Sequence, residues 1–259
     1  MIKVRVDDNS GTIEMARPDR RNALSRSMIQ QLRQAFTDLH QEKKVRAVIL
    51  TGSENCFCAG MDLHEMHTTS NAELAVAQQQ WHTDAMAYRD LLFQILRFPK
   101  PVIAAINGPA IGGGAGLACA SDIVIAGHSA QFGVPATKRG IVAGMVVPLV
   151  VFRIGSGQAA NLMLSAKTIE AAEAQRLNLF HEAVDDQQVW VRANQVASEC
   201  AEGAAEAVAL TKRMLNEHIG EQLMTMLTTG AAVTATSKTT EAAREGMAAF
   251  VEKRDPNWP

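Results

Sequence analysis

The stretch Pro101-Val102-Ile103-Ala104-Ala105-Ile106-Asn107-Gly108-Pro109-Ala110-Ile111-Gly112-Gly113-Gly114-Ala115-Gly116-Leu117-Ala118-Cys119-Ala120 decides how this chain reads. An apolar run of strand length leads into three consecutive glycines, and small residues suited to a helix start follow. A helix N-terminus leaves backbone N–H groups unpaired and partly positive, and glycine lets an oxygen approach them without a Cβ in the way. A second turn of the same character lies upstream, where Cys58-Ala59-Gly60-Met61-Asp62-Leu63 follows the apolar run 45–52 and precedes a short helical pattern. Two such turns, each aiming one N–H at a common point, make an oxyanion hole; two tight connections are the plain alternative.

Outward from these turns, residues 2–7 and 11–16 alternate about Asp7-Asp8-Asn9-Ser10-Gly11, a hairpin signal that Pro18 closes. Ser25 suits the N-cap of a helix carrying Met28, Ile29, Leu32, Ala35, Phe36 and Leu39 at helical spacing. The pattern predicts strands over 45–51, 101–107 and 122–126, and helices over 71–98 and 112–119. The strands are nearly continuous in apolar residues, as in a parallel sheet buried under helices. Beyond about residue 155 it predicts no further strand, only helices near 157–164, 170–175, 186–202, 204–218, 220–237 and 239–253.

Charge is almost balanced, 25 basic against 27 acidic residues for a net of −2, which disfavours a general nucleic-acid surface. The 259 residues suffice for one large domain, and 47% hydrophobic with only 5% aromatic content suits packed helices on a parallel sheet. Cys56, Cys58, Cys119 and Cys200 form neither a disulfide framework nor a metal-ligand spacing, so no metal is expected. The start, Met1-Ile2-Lys3-Val4-Arg5-Val6, reads as a strand and not a signal peptide, and no membrane span is expected. A cytoplasmic protein follows as the expectation.

The blocks Arg17-Pro18-Asp19-Arg20-Arg21-Asn22-Ala23-Leu24-Ser25, Phe57-Cys58-Ala59-Gly60-Met61-Asp62-Leu63, Lys100 to Gly108, Ser121-Asp122-Ile123-Val124-Ile125-Ala126 and Arg244-Glu245-Gly246-Met247-Ala248-Ala249-Phe250 stand in an order and spacing that covers nearly the whole chain. Together they resemble the crotonase superfamily, the enoyl-CoA hydratase/isomerase family. The resemblance implies an α/β fold, a crotonase-like superhelix of ββα units with a C-terminal α-helical trimerisation region. It places a core with the acyl-CoA site at 1–200 and a helical region for oligomerisation and CoA contact at 201–259, assembled as a homotrimer or a dimer of trimers.

The same resemblance makes the substrate an acyl-CoA thioester, with no cofactor besides the coenzyme A of the substrate itself and with no nucleic-acid or membrane partner. The oxyanion hole falls on the backbone N–H groups of Met61 and Gly113. Substrate contacts fall on Arg20, Arg21, Ala23, Leu24, Cys58, Ala59, Asp62, Leu63, Gly112, Gly116, Ala136, Lys138, Phe250 and Lys253; for the basic residues a solvated face is the alternative. The two glutamates of a standard hydratase fall at Gly116 and Ala136, neither of which can move a proton. In aromatic-CoA dehalogenases the nucleophilic aspartate and activating histidine fall at Gly144 and Phe93, and both are absent.

Tyr88, the single tyrosine, and His64 remain as candidate acid/base groups. Trp81, Asp84 and Tyr88 share a helix face at i, i+3 and i+7, where core packing with Asp84 at the rim is the competing account. Asp122 reads as structural. The expected function is enolate stabilisation at a thioester, of hydratase or isomerase type, without ordinary two-glutamate crotonyl-CoA hydration. An acyl-CoA decarboxylase or other lyase, and a non-catalytic acyl-CoA-binding protein, are the alternatives.

Overall fold

The computed structural model describes residues 1–218 and 221–258. A six-stranded sheet runs in the order β1 (Ile2–Asp7), β2 (Ser10–Met15), β3 (Ala47–Gly52), β4 (Val102–Ile106), β6 (Ile123–Gly127), β9 (Glu182–Val184). The first pair is the expected antiparallel hairpin, and every later pair is parallel. A three-stranded sheet holds β5 (Ala110–Ile111), β7 (Gln131–Gly133) and β8 (Thr168–Glu170).

Both faces of the central strands β3, β4 and β6 are covered, which explains their unbroken apolar character. Alternate residues Val48, Leu50, Val102, Ala104 and Val124 join the main core. The opposite face, Ala47, Ile49, Ile103, Ala105 and Ile125, packs against α7 (Val189–Ala201).

On the core side lie α1 (Arg26–Gln41), α2 (Leu63–Ser70), α3 (Leu74–Arg97) and α4 (Gly113–Ala120). Ser25 caps α1 by accepting the Met28 N–H, as its position in the sequence suggests. Helix α5 (Val146–Ser165) starts earlier than the expected 157, because the run from Met145 to Val151 is apolar on every side and shows no helical period. Among the described residues it is the one helix long and apolar enough to cross a membrane, yet Gly155, at φ 74° and ψ 162°, breaks it into two shorter segments.

The expectation that strands end near 155 is overturned by β8 and β9. Each has three residues, too few for a period of two to register. The remaining helices are α6 (Ala171–Arg176), α8 (Ala205–Arg213) continued by a π-helical turn over Met214–His218, α9 (Glu221–Ser237) and α10 (Glu241–Glu252). The expected helix start at 220 lies outside the described residues.

An ion pair between a buried lysine and a partly buried aspartate ties this helical region to the sheet. Lys212 Nζ donates to Asp122 Oδ2 at 2.6 Å and to the carbonyls of Ile95 and Lys100 at 3.0 and 3.2 Å. Asp122 Oδ2 also accepts the Val102 N–H at 2.7 Å, in keeping with the structural role expected of it.

Candidate active site

Two glycine turns meet because three short pieces of backbone are laced together. Leu24 N–H donates to the Gly60 carbonyl at 2.7 Å and Asp62 N–H to the Leu24 carbonyl at 3.0 Å. On the other side Cys58 N–H donates to Pro109 O at 3.1 Å, and Ile111 N–H to Cys58 O at 2.9 Å. The chain from 58 to 62 is therefore held between residue 24 and residues 109–111.

Peptide geometry then fixes where two amides point. With no cis peptide among the described residues, Met61 N–H lies anti to the Gly60 carbonyl and so points away from Leu24, toward the Gly112–Gly113 side. Gly112 O accepts the Gly116 N–H at 3.1 Å along α4, so Gly113 N–H points out of the helix N-terminus. Neither amide has a protein hydrogen-bond partner among the described residues. Gly60 sits at φ +94°, and a Cβ there would stand 3.2 Å from Gly113 N and 2.8 Å from Ile111 O, so a side chain would wedge the two turns apart.

Both turns line one cavity of about 460 Å³. At its exposed end stand Asp19, Arg20 and Arg21, with the peptide positions of Ala23, Ala59 and Leu63 behind them. Its interior is largely apolar, formed by Met66, Ala85, Ile141, Met145 and Val146. Helix α10 flanks it: Phe250 lines the cavity, with the Arg139 guanidinium 4.8 Å from its ring centroid and the exposed His64 ring at 6.5 Å, edge on.

Tyr88 fills the space that Gly116 leaves. Its hydroxyl donates to the Gly113 carbonyl at 2.6 Å, and a Cβ on Gly116 would overlap that oxygen. The phenol is 2% exposed, and burial raises its pKa well above the ordinary tyrosine value. At neutral pH the proton stays on the oxygen and is committed to the helix start, so Tyr88 pins the Gly113 turn.

Asp62 caps α2 through the N–H groups of His64 and Glu65, at 3.0 and 3.3 Å, and receives Arg17 Nη1 at 2.7 Å. Burial alone would push its carboxyl up, but the hydrogen bond from Arg17, helped by the two amides, outweighs burial and holds it below the usual carboxylate range.

Several expected ligand positions are placed elsewhere. The Cys58 backbone is consumed by Pro109 and Ile111, and burial pushes its thiol up to about 12, so it supports the turn and offers nothing to a ligand. Leu24 braces Gly113 from behind, and Gly116 is covered by Tyr88; neither lines the cavity. Lys138 is exposed and outside the lining, where its neighbour Arg139 takes the place instead, and Lys253 is an exposed left-handed cap after α10. Gly112 and Ala136 do line the cavity.

Sequence reasoning missed two features of the interior. Asp84 is not a free rim carboxylate: Arg26 grips both of its oxygens at 2.8 Å, and Gln80 adds a bond at 2.7 Å. Lys238, between α9 and α10, is 4% exposed and lines the same cavity. A lysine in a polar Ser-Lys-Thr-Thr run carries no signal of burial.

A family model described as "Enoyl-CoA hydratase/isomerase" matches residues 7–259. A Thermus thermophilus protein that carries an enoyl-CoA hydratase name is 36% identical over 241 residues, covering 93% of this chain and 94% of its own. The 1,2-epoxyphenylacetyl-CoA isomerase of Escherichia coli is 30% identical over 261 residues, 99% of this chain and 97% of that one. The crystal structure of an enoyl-CoA hydratase/isomerase from Xanthobacter autotrophicus Py2 superposes with a TM-score of 0.88 at 26% identity, over 100% of this chain and 98% of the other.

Proposed function

Because the chain belongs to the enoyl-CoA hydratase/isomerase family, we propose that it processes an acyl-CoA thioester by holding the developing enolate oxygen between the amides of Met61 and Gly113. The observation that carries this reading is the pair of unpartnered N–H groups opening on one apolar cavity. Taking a proton from the carbon beside a thioester, or adding water across its conjugated double bond, puts negative charge on the carbonyl oxygen. Fixed donors in a cavity poor in water lower that barrier, each by about 3–4 kcal/mol when removed singly.

Arg20 and Arg21 at the exposed end supply the cations that coenzyme A phosphates require. Asp62 and Leu63 shape the first turn, Gly112 and Tyr88 the second. Of the two groups considered for proton transfer, Tyr88 serves the turn, which leaves His64, near Phe250, as the acid/base candidate among them.

With Gly116 and Ala136 at the hydratase glutamate positions, ordinary crotonyl-CoA hydration is weak or absent. Exposed Leu210, Met214 and Leu215 after α7, and Met226 and Val233 on α9, support assembly into a homotrimer or dimer of trimers, which sedimentation velocity tests.

The deciding experiment follows the α-protons of butyryl-CoA in deuterated water, with crotonyl-CoA hydration measured alongside. Enzyme-dependent exchange with slow hydration is expected. Tight binding with no exchange makes the chain a non-catalytic binder, and crotonyl-CoA turnover on the order of hundreds per second contradicts the missing acid/base pair.

A further inference from the structure

Lys238 stands in the cavity interior, where Asp84 favours its charge without pairing with it. Its ammonium has no hydrogen bond or ion pair among the described residues, although it is 4% exposed. The interior carboxylates of the lining are both spoken for: Asp62 by Arg17 at 2.7 Å, and Asp84 by Arg26 at 2.8 Å with Gln80 at 2.7 Å. Glu65 accepts the Arg26 N–H at 3.0 Å and lines a neighbouring hollow instead of this cavity.

A buried cation with three unused donors is costly unless something supplies acceptors. We propose that Lys238 is a specificity residue that binds a carboxylate on the far end of the acyl chain, so that the preferred ligands are CoA monothioesters of short dicarboxylic acids. This rests on the acyl-CoA reading above and adds the class of acyl group to it.

Position along α3 sets the length. Tyr88 touches the Gly113 turn, and Asp84, the charged neighbour of Lys238, lies one helical turn away, about 6 Å along the axis. That separation spans a few methylenes beyond the thioester carbonyl, so Lys238 is placed for the tail and not for the α-carbon. The apolar walls between, Met66, Ala85 and Met145, suit those methylenes.

Burial pushes the Lys238 ammonium down to about 8, with Asp84 opposing and Arg26 assisting. It is therefore charged through neutral pH and loses its proton just above. The groups facing it are Asp84 of α3, Arg26 at the start of α1, and Asp62 and Glu65 at the start of α2.

The test is calorimetric binding of CoA, butyryl-CoA, succinyl-CoA and glutaryl-CoA to the full-length protein and to Lys238→Met. In the unaltered protein a carboxylate-tailed thioester should bind at least about tenfold more tightly than butyryl-CoA. Lys238→Met should erase that margin, so that butyryl-CoA and the carboxylate-tailed thioesters bind within about threefold of one another. The margin should also fall as pH rises through about 8 in the unaltered protein, a readout that does not depend on the variant folding. Coenzyme A ionisations cancel, since every ligand shares them. No margin, a margin that survives in Lys238→Met, or one indifferent to pH overturns the assignment while butyryl-CoA binding leaves the acyl-CoA reading intact. Failure of every thioester and of CoA to bind overturns both.

Discussion

The packing of Tyr88 into the space over Gly116 is open to a double-mutant cycle on stability. Tyr88→Phe removes a buried hydrogen bond of 2.6 Å to the Gly113 carbonyl, a loss of about 1 kcal/mol. Gly116→Ala places a methyl on the phenol oxygen, so either the ring moves and gives up that bond or α4 shifts. Overpacking of about 1–3 kcal/mol plus the hydrogen bond, less about 0.5–1 kcal/mol from replacing a helical glycine, leaves a cost of roughly 1–3 kcal/mol. With phenylalanine at 88 the oxygen is gone, and the nearest remaining atoms are Val146 Cγ2 at 3.2 Å and the ring Cζ at 3.4 Å from the new Cβ. In that background Gly116→Ala should cost close to nothing. The double variant should thus be more stable than the sum of the singles by about 2 kcal/mol, measured by urea unfolding at one fixed protein concentration. Additivity within about 0.5 kcal/mol refutes the account, because it means that the two residues do not share the space. The same geometry requires that Gly116→Glu be tolerated only when Tyr88 is first cut back to alanine.

Gly113→Pro deletes one oxyanion donor at the first helical position, where proline is at home. It should lower α-proton exchange by about 10²–10³ with the circular dichroism spectrum retained, and unchanged exchange removes Gly113 from the hole. Asp62→Asn keeps the helix cap but loses the charge that Arg17 faces, and should cost about 1–3 kcal/mol near pH 7. Because the folded-state value of Asp62 lies below the unfolded one, its stabilisation is full above about pH 4 and is lost as pH falls through the folded value. The stability gap between the two proteins should therefore close on acidification, and a gap that widens contradicts the pairing. Lys212→Met leaves the partly buried Asp122 carboxylate without its cation and should cost about 1–3 kcal/mol by denaturant midpoint, with partial recovery in Lys212→Met/Asp122→Asn.

The sequence made legible whatever repeats or needs special backbone. Strands β3, β4 and β6 show as apolar runs because each is covered on both faces, and α1 shows through its cap and its 3.6-residue period. The two glycine turns show because positive φ at Gly60 and Gly112 needs glycine. Strands β8 and β9 did not, since three residues hold no period, and α5 did not, since a helix apolar on every side has no face to reveal it. The interior of the cavity was the least legible part. Arg26, Asp84 and Lys238 come from three distant segments, and neither an ion pair across 58 residues nor the burial of a lysine in a polar run leaves a local trace. Tyr88 was visible as the single tyrosine on the right helix face, but its partnership with Gly116 is a fact of packing alone.

On the proposed reading, Ala136 and the buried lysine act in one direction on the ligand. Two carboxylates beside the reacting carbons repel an acyl chain that carries its own negative charge; at a separation of about 6 Å and an effective dielectric near 20, one such repulsion is worth about 3 kcal/mol, roughly 100-fold in affinity. Ala136, where the resemblance places one hydratase glutamate, leaves the cavity lining without that repulsion, and on the proposed reading Lys238 adds an attraction in the same space. Ala136→Glu adds one negative charge to the cavity lining. Glutaryl-CoA affinity should then fall by about tenfold or more at pH 7, while butyryl-CoA affinity changes by less than about threefold, both read by calorimetry. Equal losses for the two thioesters mean that the new side chain acts by bulk, and the electrostatic account of why this cavity lacks carboxylates at those positions fails.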